Sequence, residues 1–176
     1  MSLDAIPRGS EVLVDANIVV YHASDVSEEC SRFLVRAERG ELRLSMAAAS
    51  YAEMLHRLMI AEARSRGLIV GNSPARRLRE SPDVVRGLNR YLDVTAALTG
   101  CGLRLLDLDE EILRLSHPIR ERYGLLVNDS LLVATSMARD IPVLASADKD
   151  FARVDELELY SPTDVVIHSQ DQGVLG

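Results

Sequence analysis

Short apolar runs and helix-spaced apolar stripes follow one another along the chain. Glu11–Ala16 (EVLVDA) holds β-type apolar residues and ends on an acid and an alanine, which predicts a short buried strand. A short helix is expected from Asn17. Ser27–Arg39 carries Phe33, Leu34 and Ala37 at helical spacing, with Ser27 and Glu29 suited to a first turn and Gly40 as the stop. Leu42–Ser45 reads as a second strand. Ser45 is then expected to cap a long helix to about Arg66, with Ala48, Ala52, Leu55 and Met59 as its apolar stripe. Gly67–Pro74 interrupts it. Ser81–Thr99 predicts another long helix with Val84, Leu88, Tyr91, Leu92 and Leu98 on its apolar side, ended by Gly100 and Gly102. Leu103–Asp109 is a third strand, with Asp109 capping a helix to about Tyr123. Asn128 and Asp129 open a helix to Arg139, and Ile141–Ser146 is a fourth strand. A helical turn near Phe151 leads to Glu156–Tyr160, an edge strand.

Strands alternating with helices predict an α/β domain: three layers, α/β/α, around a mainly parallel sheet. Residues 1–10 are set apart as an N-terminal extension, and Pro7–Ser10 is left out of the fold prediction. Residues 11–168 make one domain, with two long helices extending from its body near 58–102. Residues 169–176 are expected to fray.

The length of 176 residues suits one domain, and 47% apolar with 27% charged residues is ordinary for a soluble globular chain. There is no run of 18 apolar residues, so no membrane span is expected. A basic segment followed by an apolar stretch is also missing at the N-terminus, so no secretory signal is expected. Cys30 and Cys101 stand far apart, outside any Cys-x-x-Cys or Cys-His cluster. A reduced, cytoplasmic setting without structural zinc follows. The net charge of −7 argues against a protein that coats nucleic acid non-specifically, because that affinity comes from neutralising phosphates. A locally positive region remains compatible with it. Arg76, Arg77, Arg79, Arg86 and Arg90 form the best candidate for RNA-backbone contact; a solvated helix face accounts for the same arginines. With no Trp and few aromatics, base stacking is not expected to dominate.

In open α/β sheets, sites form outside the carboxyl ends of the strands. Asp15 ends the first strand and Asp148 follows the fourth. Asp129 lies in the first turn of the helix leading into that fourth strand, and Glu53 sits inside the helix after the second. Each has an ordinary structural role open to it. Asp15 suits a helix N-cap, Asp129 complements a helix dipole, Glu53 can pair with Arg57 at i+4, and Asp148 can be a loop residue beside Lys149. Acids brought together repel one another, and a hard divalent cation with oxygen ligands, Mg2+ or Mn2+, relieves that conflict. The histidines at 22, 56, 117 and 168 show no zinc spacing, and His56 suits a helix surface. Neither a Gly-x-Gly-x-x-Gly nor a P-loop occurs, and Asp15-Ala16-Asn17 lacks the paired Asp-x-Asp of haloacid-dehalogenase phosphatases.

Four segments in order resemble the PIN-domain family: Leu13–Tyr21 (LVDANIVVY), Ala49–Arg57 (ASYAEMLHR), Asn128–Asp140 (NDSLLVATSMARD) and Ile141–Val154 (IPVLASADKDFARV). The last two together are the more specific. The resemblance implies a PIN-like fold and metal-dependent hydrolysis of RNA phosphodiester bonds. It maps the family's acids onto Asp15, Glu53, Asp129 and Asp148, with Asp15, Asp129 and Asp148 as metal ligands. Glu53 would be a ligand or a partner of one. Asn17 and Ser146 are its accessory polar residues. Within the family the resemblance points to VapC-type toxins, which a small antitoxin protein holds inactive and which often dimerise. A housekeeping RNA-processing nuclease and a non-catalytic PIN-like interaction module are the alternatives. Ala16 departs from the small hydroxyl residue common after the first Asp, and the chain is longer than compact members between about 58 and 102. Asp150 is a further acid near the site, suited equally to a metal-binding role or to capping the turn before Phe151.

Overall fold

Strand β1 (Glu11–Val14) runs through the centre of the computed structural model, with Val12, Leu13 and Val14 all fully buried. The structure describes residues 1–165, so the expected frayed tail at 169–176, and His168, lie outside the described residues. On one side of β1 stand β2 (Arg43–Ala47) and β3 (Arg104–Leu106). On the other stand β4 (Val143–Ala145) and β5 (Glu158–Tyr160). The sheet order is β3-β2-β1-β4-β5, and every pairing is parallel. Leu13 is in register with Ser45 on β2 and Leu144 on β4.

The helices are α1 (Ala16–Ala23), α2 (Glu28–Glu38), α3 (Ala48–Ser65), α4 (Pro74–Arg79), α5 (Pro82–Arg86), α6 (Arg90–Gly100), α7 (Glu110–Tyr123) and α8 (Val127–Arg139). Alternate residues of a strand face opposite sides. Accordingly Val12 and Val14 pack with Val19, Phe33, Met54 and Leu98 from α1, α2, α3 and α6. Leu13 packs with Ile112, Ile119, Leu131 and Leu132 from α7 and α8. The three layers expected from the alternation of elements are therefore present. A strand covered on both faces has no use for polar residues, which is why β1 reads as an unbroken apolar run. Among the described residues no helix is long and apolar enough to cross a membrane.

Local capping signals mark two helix starts correctly. Ser27 accepts from the Cys30 amide at 3.0 Å, and Asp109 from the Ile112 amide at 2.9 Å. Ser45 does not cap α3. It lies within β2, its hydroxyl donating to Glu11 at 2.9 Å, and α3 starts behind Ala47 without a side-chain cap. The inward face of α3 also differs from the expected stripe. Ala52 is exposed, whereas Met54 and Leu58, larger and one turn apart, are buried.

The region 58–102 is not a pair of long helices reaching out. Pro74 and Pro82 each begin a short helix, positions where the missing N–H costs nothing. The expected helix from Ser81 to Thr99 is interrupted before Arg90. There the buried carboxylate of Glu62 accepts from the Asn89 and Arg90 amides at 3.0 and 2.9 Å. An acid from α3 thus satisfies the orphan donors at the start of α6. Ile60, Ala63, Ile69, Leu78 and Leu88 form a small core of their own beneath this segment.

Residues 1–10 pack onto the body instead of extending from it. Leu3 and Ile6 are buried. The buried carboxylate of Glu29 accepts from Ser2 Oγ, the Leu3 amide at 2.7 Å, and both the amide and hydroxyl of Thr163. Asp164 in turn accepts from Ser27 Oγ and the Glu29 amide. One glutamate thereby joins both ends of the described chain to the start of α2. Burial pushes the Glu29 carboxyl upward, but the bonds from Ser2, Thr163 and Leu3 outweigh it and hold the group down at about 2, against an ordinary 4.5.

A carboxyl held below its ordinary value stabilises fully above about 4.5, and that stabilisation is lost as pH falls through that value toward about 2. Glu29→Gln should lower unfolding free energy at pH 7 by about 2–4 kcal/mol, several charge-assisted hydrogen bonds being weakened together. In denaturant titrations the gap from the wild-type chain should narrow steadily below pH 4.5. A gap that stays constant down to pH 3 would show that the charge on Glu29 is not what ties the ends together.

Candidate active site

The two halves of the sheet diverge between β1 and β4. The chain leaves β1 toward β2 and leaves β4 toward β5, so the carboxyl ends of β1 and β4 flank a crevice that neither connection covers. Asp15 follows β1 directly, its amide donating to Ala145 O at 3.0 Å. Ser146 and Asp148 follow β4. The fold therefore sets residues 15 and 146 side by side.

Asp15 caps α1, with Oδ1 accepting from the Ala16 amide at 2.7 Å. Its Oδ2 accepts from Asn17 Nδ2 at 2.5 Å and Ser146 Oγ at 2.6 Å. The buried Asn17 reaches across the crevice, accepting from the Ala147 amide at 3.0 Å, while its Nδ2 lies 3.2 Å from Ser146 Oγ. The fully buried Ser146 also accepts from the Asp148 amide at 3.0 Å. Asp148 caps the short 3-10 turn Lys149–Arg153 by accepting from the Asp150 amide at 2.8 Å. Asp150 is exposed and paired with Arg153.

Asp129 stands in the first turn of α8, partly buried. Glu53 on α3 approaches from the opposite wall. Its Oε1 lies 3.6 Å from Arg57 Nη1, and its Oε2 accepts from Asn128 Nδ2 at 3.4 Å. The charges of these groups are felt across the cluster. Burial pushes Asp15 up to about 6. Glu53 pushes the same way, while Ser146, the Ala16 amide and Arg57 pull against it. Burial likewise raises Asp129, and so do Asp148, Glu53 and Asp150. Asp15 thus feels Glu53, and Asp129 feels Glu53, Asp148 and Asp150.

The acids here offer carboxylate oxygens, the donors that hard divalent cations prefer. Among the described residues no three acids or histidines are drawn together into a ready-made cage. An open cluster still suits Mg2+, which keeps several waters and takes only one or two carboxylates. Burial is the main reason the Asp15 and Asp129 carboxyls are raised, with neighbouring acids adding to it.

Other predicted residues fall elsewhere. Arg76, Arg77 and Arg79 are exposed on α4, whose Leu78 packs beside Ile60 and Ala63. Those two residues are roughly 10–15 Å beyond Glu53 along the axis of α3. Arg76 pairs with Glu80, Arg77 donates to Asn72 O, and Arg86 pairs with Asp83. Arg90 donates to Ala23 O. His56 is exposed, and His22 contacts Ser31 at 2.9 Å. A groove of about 690 Å³ between α1, α2 and α6 includes Leu34, Val35, Val94 and Ala97 with Asp25, Glu38 and Asp93, and holds none of the four acids. The i,i+4 spacing signals the Glu53–Arg57 pair, whereas the contact of Asn128 with Glu53 is not expected from the sequence. Nothing local signals the Asn128 contact, which joins positions 75 residues apart.

A family model described as PIN domain matches residues 12–157. Ribonuclease VapC2 of Methanocaldococcus jannaschii is 27% identical over 150 residues, covering 85% of this chain and 93% of that protein. Ribonuclease VapC6 of the same organism is 40% identical over 57 residues, 32% of this chain and 37% of the relative. Among solved structures, VapBC2 from Rickettsia felis bound to a DNA fragment from its promoter superposes with a TM-score of 0.54 at 16% identity, covering 86% of this chain and 98% of that one. A toxin–antitoxin complex from Klebsiella pneumoniae gives 0.55 at 16% identity, covering 89% and 99%. The structural likenesses bear on the fold, which is the five-stranded parallel sheet described above. With the family model spanning β1 to the approach to β5, this chain belongs to the PIN domain family.

Proposed function

We propose that this protein is an Mg2+- or Mn2+-dependent endoribonuclease and the toxin of a toxin–antitoxin pair. The observation that carries the nuclease reading is the gathering of Asp15, Glu53, Asp129 and Asp148 around one crevice, with Asp15 and Asp129 both raised by burial and by neighbouring acids. The ribonuclease names of its relatives support it, and the toxin–antitoxin complexes among its structural neighbours agree with the partner.

Asp15, Asp129 and Asp148 would hold the metal, directly or through water, and Glu53 would complete or orient that set. Bound there, the ion supplies a Lewis acid that makes water acidic enough to yield a nucleophile and offsets charge on the phosphoryl transition state. Ser146 and Asn17 fix the Oδ2 atom of Asp15, so this carboxylate is presented in one orientation. The first turn of α8 fixes Asp129, and the turn that Asp148 caps fixes Asp148. The exposed Arg76, Arg77 and Arg79 would meet the RNA backbone away from the scissile bond. An antitoxin would seat an amphipathic, basic segment in the groove between α1, α2 and α6, where apolar Leu34, Val35 and Ala97 lie beside Glu38 and Asp93. A housekeeping RNA-processing role uses the same site without that partner.

Asp129→Asn and Asp15→Asn should each reduce Mg2+- or Mn2+-dependent cleavage of single-stranded RNA by at least about 100-fold, with the circular-dichroism melt of Asp129→Asn unchanged or raised and both variants still folded. Chelation of the metal should do the same to the wild-type chain. Undiminished cleavage in both variants would dispose of the site.

The toxin assignment has its own test. Induced expression should halt growth, Asp129→Asn should abolish the arrest, and co-expression of the neighbouring open reading frame should rescue it. Harmless accumulation of soluble, RNA-cleaving protein would favour the processing role instead.

A further inference from the structure

Arg57 is the one residue near the acids whose surroundings do not match its sequence appearance. An i,i+4 Glu–Arg pair on a helix is ordinarily two solvated side chains. Here the Arg57 side chain is 13% exposed against 35% for Glu53. Its Nε is enclosed by protein and has no hydrogen-bond partner, and it is the single such buried side-chain atom among the described residues. A buried donor left unpaired is costly, and a guanidinium cannot shed its charge to escape that cost. Something must hold it in place. The surroundings supply it: Glu53 lies 3.6 Å away, and the charge of Arg57 also reaches Asp15 and Tyr21.

We propose that Arg57 is a built-in counter-cation of the acidic site: it holds Glu53 and balances the cluster while no divalent ion is bound, and so sets how tightly the site takes one up. The proposal rests on the metal-dependent reading above. Arg57 is a positioning residue in this scheme; it acts through Glu53. A fixed positive charge beside the cluster has two consequences of opposite sign. It stabilises the metal-free protein, because acids crowded without it repel one another. It weakens metal binding, because an incoming dication is repelled by the guanidinium and must share Glu53 with it. Arginine held merely as packing would produce neither pattern.

The test uses the full chain without RNA. Arg57→Met, Arg57→Lys and the double variant Arg57→Met/Glu53→Gln are compared with wild type by thermal melting in EDTA and by calorimetric titration with Mn2+. Arg57→Met should melt about 5 °C lower in EDTA and bind Mn2+ about tenfold more tightly. Arg57→Lys, which keeps the charge, should bind Mn2+ within about twofold of wild type. Adding Glu53→Gln to Arg57→Met should recover most of the lost melting temperature, because the uncompensated charge is then removed. Unchanged or weaker Mn2+ binding by a folded Arg57→Met chain would overturn the proposal, and so would a double variant no more stable than Arg57→Met. Should Arg57→Met fail to fold, recovery of a folded chain by Glu53→Gln supports the role, and continued failure refutes it. If wild type takes up no Mn2+, the metal-dependent reading falls by itself. The melting comparison in EDTA then decides the role of Arg57 in balancing the acids.

Discussion

The Ser146 hydroxyl is the point on which the crevice is built. It donates to Asp15, accepts from the Asp148 amide, and lies within bonding distance of Asn17 Nδ2, with no exposure to solvent. A hydroxyl has one donor and two acceptor sites, so its capacity is filled. The Ser146 amide meanwhile donates to Tyr160 O on β5. One small residue thereby joins β1, β4, β5 and the turn that carries Asp148. An apolar residue here would remove one of the two donors that the Asp15 Oδ2 atom accepts from, leaving only Asn17. A larger polar one would push apart two strands already in register at Val14 and Ala145.

The structural and chemical roles of the acids turn out not to compete. Asp15 uses one oxygen as the cap of α1 and presents the other to Asn17 and Ser146. Asp148 caps a turn, and Asp129 lies in the favourable first turn of a helix. Each acid is thus fixed by an interaction that would be ordinary anywhere in a protein. The sheet order brings Asp15 and Asp148 to neighbouring strand ends, and Asp129 feels the charge of Asp148. Burial is the main reason Asp15 rises to about 6, with Glu53 adding to it, although several donors pull it down. The proposed cation site would draw on well-fixed charge instead of a preformed cage.

Features carried by neighbours in sequence were legible beforehand. The strands, the caps at Ser27 and Asp109, and the placing of Asp15 and Asp148 at strand ends rest on local pattern, and the structure places them accordingly. The assignment of Glu53 to the same space leaned on family resemblance, because a helix-interior acid with an arginine at i+4 looks like a surface pair. Two of the errors share one cause. The break before Arg90 depends on Glu62, and the packing of Leu3 depends on Glu29, partners more than 25 residues away. The α3 stripe was drawn through Ala52 because alanine is apolar; the helix instead turns Met54 and Leu58 inward, where more surface is removed from water. Ser45 resembled a cap but stands in a strand that continues two residues further.

These distant contacts also explain how Glu53 is held. It is borne by α3, whose two ends are fixed by different means. Near its start the helix packs on α1 and the sheet through Met54 and Leu58. Near its end Glu62 fastens it to α6, and Ile60 and Ala63 anchor it on the small core formed with α4 and α5. The stretch between 58 and 102 is therefore a brace for the helix that presents Glu53, and not an appendage to the domain. Glu53 is nine residues before Glu62, roughly 13 Å along the axis, so tilting α3 at one end would displace the carboxylate at the other. The geometry of the acidic crevice is consequently set from both sides, by the strand ends through Ser146 and by the helical brace through Glu62.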